Sequence, residues 1–167
     1  MTEPMSPAKP QDLLSYLEDL GIASTTVEHP AVFTVEEARR IRVDMPGAHS
    51  KSLFLRNKKR RMWLVVTLEH RTINLKELGR HLGAGSFSFA SPERLMSVLG
   101  VIPGAVTPFA AINDHERVVQ IVLDSGMLEC EPLNFHPLDN TKTTSISSDG
   151  LLRFLEATGH TPEVLDF

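Results

Sequence analysis

Cysteine is nearly missing from this chain. Cys130 is the only one among 167 residues, so no intrachain disulfide can form. That fits a reducing compartment, and we expect a cytoplasmic protein. Long hydrophobic runs are missing too: nothing approaches the ~18 consecutive apolar residues of a membrane span. Residues 1–10 are polar, carry Pro4, Pro7 and Pro10, and lack the apolar core of a signal peptide, so they read as a flexible lead-in. Basic charge is not in excess either. Lys and Arg total 17 against 21 Asp and Glu, a net charge of −4, so any contact with nucleic acid must be local. There is no Gly-rich phosphate loop, no Gly-x-Ser-x-Gly elbow and no His-Glu-x-x-His pair. The seven histidines form no ligand pair at helical spacing with a third ligand nearby, so neither a metal nor another cofactor is expected. Cys130 stands between Glu129 and Glu131, whose charge disfavours a thiolate, and it reads as a small packing residue at a strand end.

What is present suits one globular domain, residues 11–167, able to bury roughly 70% of the surface of its unfolded chain. Leu13, Leu14, Leu17 and Leu20 share a helical face between Pro10 and Gly21. Residues 23–28 read as extended. Thr34 and Glu37 have capping-box spacing for a short helix to about Arg40, followed by a loop over residues 44–49. Residues 50–56 and 62–67 read as strands joined by a basic turn. Asn74 and Ser91 can cap helices ending before Gly83 and Gly100, with a short strand over 86–90 between them. Residues 110–113, 117–124 and 141–146 read as strands, 127–131 as an extension of the sheet, and 147–157 as a last amphipathic helix. Strands and helices without a regular βαβ rhythm argue for an α+β fold, a mixed sheet with a barrel-like core flanked by helices.

Four features could carry chemistry. Lys51, between Ser50 and Ser52 at the start of a strand, is either an exposed edge charge or an ammonium aimed into a cleft, where it would hold a phosphate or oxyanion. Gly104, Ala105, Val106, Thr107 and Pro108 form an irregular segment whose backbone a ligand could approach, or a plain turn. The stretch from Phe135 through His136, Pro137 and Asn140 to Thr141 is either a turn with Asx-type bonds or a polar wall. Arg56, Lys58, Lys59 and Arg60 lie in a turn that is either solvated or a phosphate-contacting tip.

Taken together and in this order, these segments resemble a known family. His29-Pro30 with Thr34-Val35-Glu36-Glu37-Ala38 is similar to its opening motif, and Ser50-Lys51-Ser52-Leu53-Phe54-Leu55 to its lysine strand. Gly104-x-x-x-Pro108 matches its substrate loop, and the segment from Phe135 to Thr144 its C-terminal motif. The family is that of the bacterial prolyl-tRNA editing proteins of the YbaK/ProX type, and the resemblance runs from about Leu13 to Leu165. One departure is Ser52, where many relatives have asparagine. The resemblance implies a monomeric enzyme without cofactor that hydrolyses mischarged aminoacyl-tRNA in trans, most similar to the branch that removes alanine from tRNA(Pro). Lys51 and the Ser52 backbone would be catalytic, residues 104–108 with His136 and Asn140 would bind substrate, and the basic turn would contact tRNA. Prolyl-tRNA synthetase is a further implied partner. A Cys-tRNA(Pro) deacylase, another aminoacyl-tRNA deacylase, or a non-catalytic module docking on tRNA or synthetase are the competing readings.

Overall fold

The structure is a computed structural model that describes residues 6–31, 39–40 and 45–167. The expected helix from Thr34 lies largely outside those residues. Helix α1 spans Pro10–Asp19 and strand β1 Ser24–Glu28. Strands β2 (Ala48–Arg56) and β3 (Met62–Leu68) form the expected hairpin around the basic turn. Helix α2 (Leu75–His81) starts at Asn74, whose side chain accepts from the Lys76 and Glu77 N–H groups. Strand β4 (Ser88–Phe89) is followed by α3 (Pro92–Leu99), capped by Ser91 and closed by Gly100 at φ +67°. Strand β5 (Val119–Asp124), short helix α4 (Ser125–Leu128), strands β6 (Leu133–Phe135) and β7 (Lys142–Ile146), helix α5 (Ser148–Ala157) and strand β8 (Glu163–Leu165) complete the order.

The strands make one mixed, open sheet in the order β1-β7-β6-β2-β3-β5-β8, with β4 added to β2. Strands β3 and β5 are apolar on both faces because both faces are covered. On one face α1, α3 and α5 enclose the main core, built on Leu13, Leu17, Leu64, Val66, Leu99 and Phe154. Phe109 sits at its centre, edge-on to Phe135 at 5.7 Å and to Phe154 at 5.4 Å. Truncating so buried a ring typically costs about 3–5 kcal/mol. On the other face Leu55, Trp63, Val65, Leu78, Val122 and Leu165 make a smaller core.

Three expectations are corrected. Residues 110–113 are not a strand but part of a 3-10 helix, Pro108–Asn113: Pro108 presets the first turn and the Thr107 hydroxyl accepts the Phe109 N–H. Residues 127–131 do not extend the sheet. The Asp124 carboxylate accepts the Gly126 N–H and turns the chain into α4. Cys130 therefore lies just past a helix, not at a strand end, and its thiol points to the Gly126 carbonyl. Strands β6 and β8, three residues each, were not expected. At the described end of the lead-in, the Ala8 N–H donates to Asn113 Oδ1 at 2.8 Å.

Candidate active site

Strand alternation decides what each residue of β2 can meet. Phe54 enters the main core, and Ser50 and Ser52 share its face; Leu53 and Leu55 join the smaller core, and His49 and Lys51 share theirs. In β6, Leu133 and Phe135 enter the main core, which turns Asn134 toward the face of Lys51, with His136 next in the same alternation. In β7, Ile146 enters the main core, and Thr143 and Ser145 take the other side. One end of the second face is thus polar: His49, Lys51, Asn134, His136, Thr143 and Ser145.

The groups there differ in how completely they are engaged. Asn134 is saturated: its amide donates to the Pro46 and Ala48 carbonyls and its oxygen accepts from Ser145. His29 bonds through Nδ1 to the Pro30 carbonyl at 2.9 Å and through Nε2 to the Thr143 hydroxyl at 2.7 Å. His136 is different. Its Nδ1–H donates to the Lys142 carbonyl at 2.8 Å, which fixes the tautomer and leaves Nε2 as an acceptor with no partner among the described residues. Burial pushes the His136 pKa below its ordinary 6.5, against the raising effect of that carbonyl, and the nearby His29 adds to the lowering. The two rings are 6.3 Å apart. The parallel register pairs His49 with Asn134, the last pair of that ladder, so His136 and Lys51 lie on the same face of neighbouring strands. Strand β6 stops at Phe135, and Pro137 just beyond it has no N–H to give.

The Lys51 ammonium is half-buried and donates to the Arg71 carbonyl. An ammonium has three donors, so it keeps capacity for a ligand. Arg71 is held in turn by Asp124, 2.5 Å from its Nε; this carboxylate also accepts from the Thr67 hydroxyl at 2.7 Å. Burial raises the Asp124 pKa, but the bonds from Thr67, Arg71 and Leu68 outweigh it, and the net shift is downward.

Ser52 offers its backbone. The His49 carbonyl accepts from Glu69 and the Asn57 N–H donates to Arg61, so odd-numbered backbone groups of β2 face β3. Even-numbered groups face away, as the Phe54 carbonyl accepting from Ala90 shows. On that side β2 is paired by β6 only at Ala48 and His49 and by β4 only at Leu55 and Arg56. The Ser52 N–H therefore points into a slot in the sheet between β6 and β4.

Residues 104–108 lie on the opposite side from Lys51. Ala105 and Val106 pack into the main core, and Thr107 and Pro108 are buried. Exposed Gly104 reaches the turn after β6: a Cβ there would sit 3.2 Å from Asn140 Nδ2. The turn is braced by Asp139, which accepts from both the N–H and hydroxyl of Thr141. The structure thus puts Lys51 and His136 on one face of the sheet, with the Lys51 ammonium on the Arg71 carbonyl, and sets Gly104 beside Asn140. It does not set Lys51 against the wall of residues 104–108. An open groove of about 850 Å³ at the start of β2 is lined by Ala48, His49, Leu68, His70, Cys130 and Glu131 among others, and by neither Lys51 nor residues 104–108. In the hairpin turn, Lys58, Lys59, Arg60 and Arg61 are exposed, while Arg56 is half-buried.

Asn134, Thr143 and Arg71 were not anticipated from the sequence. Alternation in the β-branched run at 142–146 marks Thr143 as facing opposite Ile146, but only pairing with β6 shows what it faces. Arg71 acts through its carbonyl, which leaves no trace in residue type.

Comparison with known proteins agrees with this architecture. Residues 29–154 match the family model described as the aminoacyl-tRNA editing domain. The chain is 42% identical to a mouse (Mus musculus) protein named prolyl-tRNA synthetase associated domain-containing protein 1, covering 93% of this chain and 95% of the relative. It is 34% identical to the prolyl-tRNA editing protein ProX of Acetoanaerobium sticklandii, covering 93% and 96%. A crystal structure described as a candidate trans-editing enzyme for prolyl tRNA synthetase superposes with a TM-score of 0.72 at 22% identity, covering 96% and 98%, a likeness of fold.

Proposed function

The chain belongs to the aminoacyl-tRNA editing domain family, and from that premise we propose that it is a trans-editing hydrolase that removes alanine from mischarged Ala-tRNA(Pro). The observation that carries the reading is that Lys51 and His136 share one polar sheet face, with the His136 Nε2 and the Ser52 N–H both without a partner among the described residues.

The substrate is an ester between an amino acid and the terminal ribose of tRNA. Such an ester is already activated, so its hydrolysis needs a positioned water and stabilisation of the negative charge that builds on the carbonyl oxygen. His136 Nε2 accepts a hydrogen bond from the water and draws its proton as the oxygen attacks. The Ser52 N–H and the Lys51 ammonium stabilise the oxyanion. As the tetrahedral intermediate collapses, the ester bond breaks, the proton passes to the ribose oxygen and the free amino acid departs. No protein nucleophile takes part. Gly104 and Asn140 form the lip that admits the aminoacyl end, with residues 105–108 fixing the backbone beneath it, and the basic turn holds tRNA phosphates.

Discrimination follows from size. A synthetase pocket shaped for proline rejects alanine weakly, because each missing methylene is worth only about 1–3 kcal/mol. A second pocket too small for proline excludes the correctly charged tRNA by overpacking. Purified protein tested on alanyl-, cysteinyl- and prolyl-tRNA(Pro) should release alanine fastest and leave the prolyl ester intact. Preferred release of cysteine would move the chain to the neighbouring specificity, and inertness toward all three would make it a binding module.

A further inference from the structure

Phe89 is the most exposed of the large apolar side chains described, at 61%, yet it lies in a strand paired to the sheet. It pairs with Leu55 across β4 and β2, and the next residue, Ala90, donates to the Phe54 carbonyl. Two residues earlier, Phe87 packs edge-on to Trp63 at 5.0 Å. The hairpin tip beside it is tied down too: buried Asn57 donates from its side chain to the Ala84 carbonyl and accepts the Arg61 N–H. A ring so exposed on a paired strand adds little to the packing.

Its surroundings define what it could meet. Arg56, Lys58, Lys59, Arg60 and Arg61 fall within six residues that include no acid, in a chain of net charge −4. Cations that grip a backbone, next to an aromatic face that stacks a base, are the makings of a single-strand nucleic-acid surface. The geometry also connects this ring to the candidate active site. Directly paired residues point to the same face of a sheet, so Phe89 shares its face with Leu55 and, by alternation along β2, with Lys51. Leu55 is four residues from Lys51, roughly 13 Å along the strand at ~3.3 Å per residue. An unpaired 3′ tail can cover that span. A second copy of this chain is a poor occupant, because facing two such patches would set like charges against each other.

We propose that Phe89 is a stacking platform for an unpaired base near the 3′ end of an RNA whose phosphates lie on the basic turn. The identity of that RNA as a tRNA rests on the editing reading; the stack itself does not. The test is direct binding of an RNA hairpin with an unpaired CCA tail carrying 2-aminopurine in place of the last adenine, read by fluorescence across a salt series. Phe89→Ala should weaken binding roughly 5- to 150-fold, the range of one base–aromatic stack, without changing the salt slope. Phe89→Trp should bind as the parent does. Phe89→Leu keeps apolar area without an aromatic face, so it should bind like the alanine variant while unfolding at the parent temperature. Binding by Phe89→Ala within twofold of the parent would overturn the proposal, as would equal loss in the tryptophan variant. A change in oligomeric state with RNA binding intact would assign the ring to a protein interface and overturn it as well. Because the readout is binding, a chain that hydrolyses no ester could still pass this test, and an active deacylase could fail it.

Discussion

Two of the histidines with well-defined partners, His160 and His136, teach opposite lessons. His160 bonds through Nε2 to Asp114 at 2.9 Å and through Nδ1 to the Thr158 hydroxyl at 2.9 Å, an aligned hydroxyl, imidazole and carboxylate. By residue type it looks more like a catalytic relay than His136 does. Yet every valence there is taken: Thr158 donates to the Leu155 carbonyl, and Asp114 also accepts the Val118 and Val119 N–H groups. His160 and Asp114 are each almost wholly buried. That arrangement clamps the end of α5 to the start of β5. His136 has one nitrogen fixed and the other without a partner among the described residues, on the face that also carries Lys51. Reactive capacity follows the unsatisfied valence and access to it.

The comparison can be broken in four ways. The largest effect is expected at the open site. Lys51→Ala should slow deacylation by about 10³-fold, as loss of an oxyanion-stabilising group does, with the unfolding midpoint unchanged. Near-parental turnover in that variant would take Lys51 out of the reaction. At the closed site, Asp114→Asn should cost about 3 kcal/mol of stability, roughly 6–12 °C in midpoint, while activity per folded molecule holds. A stable but inactive Asp114→Asn protein would reverse the roles assigned to the two histidines.

The third test is His136→Gln, expected to lower the rate by about 10²-fold. It also carries a pH signature. The folded-state pKa of His136 is lowered from 6.5, so the neutral, working form dominates at and above pH 6.5, and the rate, corrected for spontaneous hydrolysis, should fall only on the acid side. The unfolded chain takes up that proton first, so stability too should decline as pH drops below 6.5. Asp114 and Asp124 work in a lower window. Burial raises each carboxyl, but hydrogen bonds led by His160 and by Thr67 bring both below 3.8, so their support is present above 3.8 and lost as pH falls through the folded-state values. A rate that falls with rising pH between 6 and 8, on the order of a protonated-histidine profile, would exclude His136 as the acceptor. The smallest effect belongs to the hairpin. Neutralising Lys58, Lys59 and Arg60 together should flatten the salt dependence of tRNA binding by roughly 2 units of slope. An unchanged slope would leave the turn as a solvated tip.

Much of the architecture was legible because it rests on local rules. Asn74, Ser91 and Ser147 cap the helices where their side chains can accept N–H groups, and the β2–β3 hairpin follows from two apolar runs around a charged turn. The errors fall where a local rule had a competitor. Residues 110–113 are apolar enough for a strand, but Pro108 and the Thr107 cap favour a tight helix, and Phe109 then fills the centre of the core. The three-residue strands β6 and β8 are too short to show a period and form by pairing, β6 with β7 and β2, β8 with β5.

The amino-acid sequence by itself determined the α+β class, the hairpin, the capped helices and the motifs that mark the family, since these depend on neighbours in the chain. It also singled out Lys51 and His136 as residues worth placing. Only the tertiary structure decided that those two share a face, that residues 104–108 pack on the other, and that the Ser52 N–H opens into a slot. Those facts depend on which strand lies beside β2 and in what register, and pairing between segments more than 80 residues apart, such as His49 with Asn134, is settled by the packing of the whole sheet.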